Sequence, residues 1–364
     1  MAHTSQHDIV EAVTGLLKEL IAIPSFSKEE DRTAEKIFGF LEAQGCSVYR
    51  EGNNVWVRNK HYDASKPTLL LNSHHDTVKP NTGYTRNPFE PVVENGKLYG
   101  LGSNDAGGPL VSLLGTFLHF NTQTHLPVNI IYAATAEEEI SGKGGIESIV
   151  SELSEIDLAI VGEPTGMQMA VAERGLLVLD CIATGKAGHA ARSEGINAIY
   201  EALPDIEWFR NYKFDKTSEW LGPVSMNVTV IEAGHAHNQI PAECKFMVDI
   251  RLNECYTHEE ILATIKQHVK CTIEPRSTRI KPSFINTSHP MIEAARNMGI
   301  ALYGSPTTSD MALMPWNAVK IGPGLSERSH SADEFIFVDE IKTGIEIYIA
   351  LIENYAQLLK TQSA

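Results

Sequence analysis

Leu69-Leu70-Leu71-Asn72-Ser73-His74-His75-Asp76-Thr77-Val78 is the stretch that decides the fold class. A short apolar run behind the β-branched Thr68 reads as a buried strand. It stops at two histidines and a carboxylate, where open α/β sheets collect ligands, at the carboxyl ends of their strands. An imidazole there can bind a metal, and Asp76, two residues on, can accept the other ring N–H of His74 and fix its tautomer. A polar turn closing a core strand would carry the same residues, so the neighbouring segments must decide.

They repeat the pattern. An apolar strand at 128–134 runs into Thr135-Ala136-Glu137-Glu138-Glu139, and another at 156–161 into Gly162-Glu163-Pro164-Thr165. Three adjacent carboxylates at a strand end repel one another unless a cation or proton compensates. Between these strands, Gly100-Leu101-Gly102-Ser103-Asn104-Asp105-Ala106-Gly107-Gly108 bends into an apolar helix at 110–120. The spacing of a nucleotide fingerprint is missing from that bend. Asp105 stands where the helix starts, so it suits an N-cap as well as a ligand. Near the end, a strand at 318–321 and a glycine turn precede Ser326-Glu327-Arg328-Ser329-His330-Ser331-Ala332-Asp333-Glu334.

Amphipathic helices are expected at 8–20, 29–45, 290–303 and 338–359, with further strands at 46–49 and 54–58 and a long irregular passage at 79–94. Alternating strands and helices imply an α/β domain with a mixed sheet. The pattern changes after Arg174: strand 176–183, helix 196–209, strands 224–231 and 244–250, helix 258–269 and a strand at 272–274. That order matches an inserted α+β ferredoxin-like unit. The expected division is therefore a discontinuous α/β domain, 1–174 with 283–364, and an inserted α+β domain, 175–282.

Composition narrows the function classes. The chain of 364 residues is 43% hydrophobic and 21% charged, as in ordinary globular proteins. No apolar run approaches the ~20 residues of a membrane span, and residues 1–10 lack the apolar core of a signal peptide. Five scattered cysteines without CxxC spacing fit free thiols in a reducing cytoplasm. A formal charge of -16 argues against nucleic acid and anionic membranes as partners.

The candidate ligands are then His74, Asp105, Glu139, Glu163 and His330. Two imidazoles and three carboxylates suit zinc better than calcium or magnesium. Five side chains exceed one tetrahedral ion with an open position. They suit two ions that share a bridging carboxylate, each with one terminal histidine and one terminal carboxylate.

The His-x-Asp, Gly-x-Gly-x-x-Asp, Glu-Glu, Gly-Glu-Pro-Thr and C-terminal His segments, taken in order, resemble the zinc aminoacylase/carboxypeptidase superfamily. That superfamily contains acetylornithine deacetylase, succinyl-diaminopimelate desuccinylase, bacterial glutamate carboxypeptidase and tripeptidases. The resemblance covers nearly the whole chain. It implies that His74 and Glu163 hold one zinc, Glu139 and His330 the other, and that Asp105 bridges them. It implies further that Glu138 is the general base and that Asp76 orients His74. Cobalt or manganese are possible substitutes for the two zinc ions per chain.

In the inserted unit, Gly185-Lys186-Ala187-Gly188-His189-Ala190 resembles the lid segment whose histidine steadies an oxyanion in the partner subunit's site, which implies a homodimer. Arg174, Asn238 and Arg251 match residues that hold a substrate carboxylate. The turn Thr307-Thr308-Ser309-Asp310-Met311 resembles the acylornithine deacetylases, with Thr308 and Asp310 as substrate contacts and Asp310 suited to a cationic side chain. Arg276 and Arg279 suit an acidic acyl group or a solvated linker. Two departures stand out. The bridging-acid motif lacks its usual flanking Arg and Met-Lys, and Ile140 replaces glycine after the triplet. Neither removes a ligand.

The expectation is a cytoplasmic di-zinc amidohydrolase that removes an acetyl or succinyl group from an ornithine- or citrulline-type amino acid in arginine biosynthesis. The alternative on the same scaffold is a succinyl-diaminopimelate desuccinylase-like or di/tripeptidase activity. A non-catalytic dimeric binding protein would be marked by loss of a ligand or of the base, and none is lost.

Overall fold

The computed structural model describes residues 6–153, 155–192 and 194–362. The chain divides into two compact units, Met1–Val171 with Ile285–Tyr303 and Ser309–Ala364, and Ala172–Phe284 with Gly304–Thr308.

The first unit is built on a mixed sheet, as expected. Its strand order is Val48–Glu51, Asn54–Arg58, Asn129–Thr135, Thr68–His74, Leu158–Val161, Ala318–Lys320 and Met169–Glu173. The four strands Asn129–Thr135, Thr68–His74, Leu158–Val161 and Ala318–Lys320 are mutually parallel. Every residue of Thr68–His74 is buried, which a strand covered on both faces requires. On one face Leu70, Ile131, Ala133 and Ala159 pack against Ile146, Ile149, Leu153 and Met311. On the other, helix Gly108–Phe120, buried nearly all round, packs on the two central strands and on helices Gln6–Ile21 and Val338–Gln362. Truncating a side chain such as Leu70 to alanine costs about 2–5 kcal/mol in such a setting.

Parallel pairing brings the carboxyl ends together. His74 is in register with Thr135, Asn72 with Val161, and Val161 with Lys320. His74 ends one of these four strands, and the segments that follow the other three carry the glutamate triplet, Glu163 and His330, so all lie at one edge of the sheet. A small antiparallel sheet then fixes the last of them. Phe335–Phe337 pairs with Lys97–Tyr99, which pairs with Val92–Glu94. Gly102 takes φ 75° beside Thr77, where a Cβ would strain the backbone and strike the Thr77 side chain.

The second unit is an antiparallel sheet in the order Ser225–Ala233, Glu243–Leu252, Gly175–Thr184, Thr272–Pro275. Burial alternates along Gly175–Thr184 and Glu243–Leu252. Helices Ala198–Asn211 and His258–His268 add Ala198, Ala202, Phe209, Ile261 and Ile265 to the core that Leu177, Leu179, Phe246 and Val248 begin. Asn197 caps the first helix, and a capping box of Thr257 and Glu260 opens the second.

Two expectations shift. The helix expected at 290–303 is Pro290–Asn297, because Gly299 turns left-handed at φ 71° and the chain continues as strand Leu302–Ser305. Asp105 does not cap the following helix, which has no side-chain cap bond. Among the described residues no helix is long and apolar enough to cross a membrane.

Candidate active site

His74 ends its strand fully buried. Its Nδ1–H donates to the Asp76 carbonyl oxygen at 3.0 Å, with the Asp76 carboxylate 3.3 Å away. That bond leaves Nε2 as the free lone pair. Nε2 is buried without a hydrogen bond. Around it stand Asp105 Oδ1 at 3.4 Å, Glu138 Oε2 at 3.8 Å and Glu163 Oε1 at 3.8 Å.

The glutamate triplet splits three ways. Glu137 has a left-handed backbone, and its carboxylate accepts the Gly144 N–H at 3.2 Å, so it shapes the following loop. Glu138 faces His74, while Glu139 Oε2 lies 3.0 Å from His330 Nε2. The Asp76 carboxylate arranges this divergence. It accepts the Glu138 N–H at 3.0 Å, the Glu139 N–H at 3.2 Å and the Ser27 hydroxyl at 2.7 Å. Asp76 thus braces the triplet's backbone as well as standing beside His74.

Asp105 spans the two histidines. One oxygen is 3.4 Å from His74 Nε2 and the other 3.6 Å from His330 Nε2. The His330 carbonyl is held by Asn81 Nδ2 at 3.0 Å, and its ring is about half exposed. The sequence reading missed Glu334. Its buried carboxylate accepts the N–H groups of Gly102, Asn104 and Asp105. No residue pattern announces an acid that bonds only to backbone.

The electrostatics call for a cation. Burial pushes the Glu163 carboxyl up to about 8 and raises Glu138 well above the carboxylate range. Burial opposes charge on His74, yet the carboxylates of Asp105 and Asp76 hold its pKa well above the usual value. The Glu139 carboxylate lifts His330 to about 9. So much negative charge in one place retains protons unless a metal replaces them. Ligand atoms of His74, Glu138 and Glu163, and of His74, Asp105 and Glu139, lie within 4.8 Å of one another. The unpartnered Nε2 and this donor set fit divalent metal.

The other expected residues lie elsewhere in the fold. In the second unit, His189 is exposed on the short ribbon it forms with Gln239–Ile240, and the Asn238 carbonyl accepts the Ala190 N–H. Arg174 donates to the carbonyls of Leu221 and Pro223, and burial, then the nearby charge of Arg251, depress its pKa. Arg251 makes paired bonds to Asp249 at 2.8 and 3.0 Å. The Thr308 hydroxyl lies 3.5 Å from the Arg174 carbonyl. Arg276 is engaged by Asp180 at 2.8 and 2.9 Å. In the first unit Asp310 is only 2% exposed, and its Oδ2 accepts from Asn72 and Thr135, both at 2.8 Å. Its carboxylate therefore braces two neighbouring strand ends.

Comparison with known proteins shows the family. The profile of Peptidase family M20/M25/M40 matches residues 70–354. The chain is 30% identical over 355 residues to a LysW-lysine/LysW-ornithine hydrolase of Sulfurisphaera tokodaii, covering 93% of this chain and 94% of that one. It is 28% identical over 375 residues to an acetylornithine deacetylase of Proteus mirabilis, covering 93% and 96%. A succinyl-diaminopimelate desuccinylase of Wolbachia pipientis is 26% identical over 367 residues, covering 93% and 92%. In fold, the chain resembles a dinuclear metal binding peptidase of Bacillus subtilis, with a TM-score of 0.73 at 16% identity over 98% of this chain and 99% of that one. This chain is a metal-dependent hydrolase and belongs to peptidase family M20/M25/M40.

Proposed function

We propose that the protein is a di-zinc amidohydrolase that removes an acetyl or succinyl group from an ornithine- or citrulline-type amino acid. The observation that carries this reading is the Asp105 carboxylate, with one oxygen toward His74 and the other toward His330. By this reading His74 and Glu163 hold one ion, Glu139 and His330 the other, and Asp105 both. Cobalt or manganese suit the same donors. When bound, the ions supply Lewis acidity toward the scissile carbonyl and toward water. Glu138 takes a proton from the attacking water and returns it to the leaving amine nitrogen. Burial raises its pKa above the ordinary carboxylate value, which favours holding the proton until the amine accepts it.

The second unit is read as a lid and dimerisation domain. Arg174, Asn238 and Arg251 would hold the substrate carboxylate, Thr308 would be a further substrate contact, and His189 would steady an oxyanion in a partner subunit. Support for a dimer comes from its outer strand Ser225–Ala233, which exposes Ile231 at 54%, and from helix Ala198–Asn211, which exposes Tyr200 at 68% and Leu203 at 51%. Five free cysteines support a cytoplasmic setting, and arginine biosynthesis is the pathway this substrate class implies. The succinyl-diaminopimelate desuccinylase-like reading has equal support from relatives at similar identity.

The deciding measurement is amine release by the zinc-loaded protein. The panel is N-acetylornithine, N-acetylcitrulline, N-succinylornithine, succinyl-diaminopimelate and an unblocked tripeptide. Turnover of one ornithine or citrulline derivative is expected. Turnover of only succinyl-diaminopimelate or only the tripeptide moves the protein to the alternative, and silence on all five with metal bound overturns the proposed substrate class.

A further inference from the structure

We infer that Glu334 is the positioning residue for Asp105, the ligand shared between both ion positions. Glu334 Oε1 accepts the N–H of Asn104 at 2.8 Å and of Asp105 at 2.9 Å, and Oε2 accepts that of Gly102 at 2.9 Å. The Glu334 carbonyl accepts a fourth, from Gly100 at 3.0 Å. The bend that carries Asp105 departs from helical dihedrals at Asp105 and Ala106. Its buried N–H groups therefore need an acceptor from outside the bend. One buried carboxylate supplies it, only four residues beyond His330. A single short segment thus delivers one ligand and fixes the backbone of another.

Glutamine fits the same space but turns an amide donor toward backbone donors, so at least one of the three bonds is lost. Because Asp105 faces both histidines, its displacement reaches both ion positions, whereas loss of His330 reaches one. Outer partners of metal ligands typically contribute about 10- to 100-fold in affinity. This inference rests on the reading of Asp105 as the shared ligand.

The test is calorimetric titration of the metal-free full-length chain with zinc, for the wild type, Glu334→Gln and His330→Ala. Circular dichroism first establishes that each is folded. The expected result is two zinc ions on the wild type, both weakened about tenfold or more in Glu334→Gln, and one lost in His330→Ala. A wild-type chain that binds no zinc overturns the reading of the site. A wild type that binds two ions, with a Glu334→Gln chain that binds both as tightly or weakens only the ion lost in His330→Ala, overturns this inference alone. Should Glu334→Gln not fold, hydrogen exchange on the metal-free wild type decides. Slow exchange at the amides of Gly102, Asn104 and Asp105 supports the brace, and exchange at the rate of an exposed loop overturns it.

Discussion

His330 Nε2 lies 3.0 Å from Glu139 Oε2, across 191 positions of the chain, while the adjacent Glu138 turns to His74 instead. Neighbouring acids therefore serve different ends, and substitution should separate them. Glu138→Ala is expected to lower kcat by about 10²- to 10⁴-fold, the usual contribution of a proton-transferring group, with metal content unchanged. Glu139→Ala should lose bound metal. Turnover and elemental analysis on the same preparations check both, and a Glu138→Ala enzyme of near wild-type activity would remove the base from the mechanism.

Removing metal should lower thermal stability. His74 Nε2 is buried without a hydrogen bond, so the folded unit holds a preformed site that the unfolded chain lacks. An ion present at 100 times its dissociation constant adds about 2.7 kcal/mol. In a domain of this size that corresponds to about 5 °C or more in Tm. Scanning calorimetry with and without a chelator tests this. Superimposable scans would contradict a metal bound only by the folded state.

The candidate ligands were legible because each sits at a strand end or glycine bend where the chain pattern breaks. His74 follows an apolar run, Glu163 another, and His330 a glycine turn. The division of labour in Glu137-Glu138-Glu139 was not legible from spacing. It depends on the left-handed backbone at Glu137 and on Asp76 gripping the next two N–H groups. Glu334, and the bonds that Asp310 makes, escaped for a related reason. Glu334 bonds to backbone, and Asp310 to two polar side chains distant in sequence, and neither kind of contact has a periodicity. The strands Val92–Glu94 and Phe335–Phe337, which place the His330 loop, are too short for an alternating pattern to register.

Asp310 joins the ends of two parallel strands through Asn72 and Thr135. Asp310→Ala strands both donors in a buried site and should cost about 1–3 kcal/mol, read from urea unfolding. Asp310→Asn keeps one acceptor oxygen and should cost less. A buried brace also leaves substrate charge preference alone, so the ratio of kcat/KM for N-acetylornithine over N-acetylcitrulline should be unchanged in Asp310→Asn. A collapse of that ratio would show that the carboxylate meets the substrate.

His289 predicts a pH dependence. It caps helix Pro290–Asn297, its Nδ1 accepting the Met291 N–H at 3.1 Å, and its ring stacks on Tyr355. Partial burial holds its pKa below the usual histidine value. A protonated Nδ1 cannot accept, so the charged ring loses the cap. The unfolded chain, with an ordinary value of about 6.5, binds the proton more readily than the folded one. The contribution is therefore full above about 6.5 and is lost as pH falls through the lower folded value. His289→Asn keeps a capping oxygen and does not titrate. Urea midpoints at about pH 7.5 and about pH 5.5 should show the wild type losing stability relative to this variant on acidification. Parallel pH curves for the two proteins would mean that His289 titrates alike folded and unfolded.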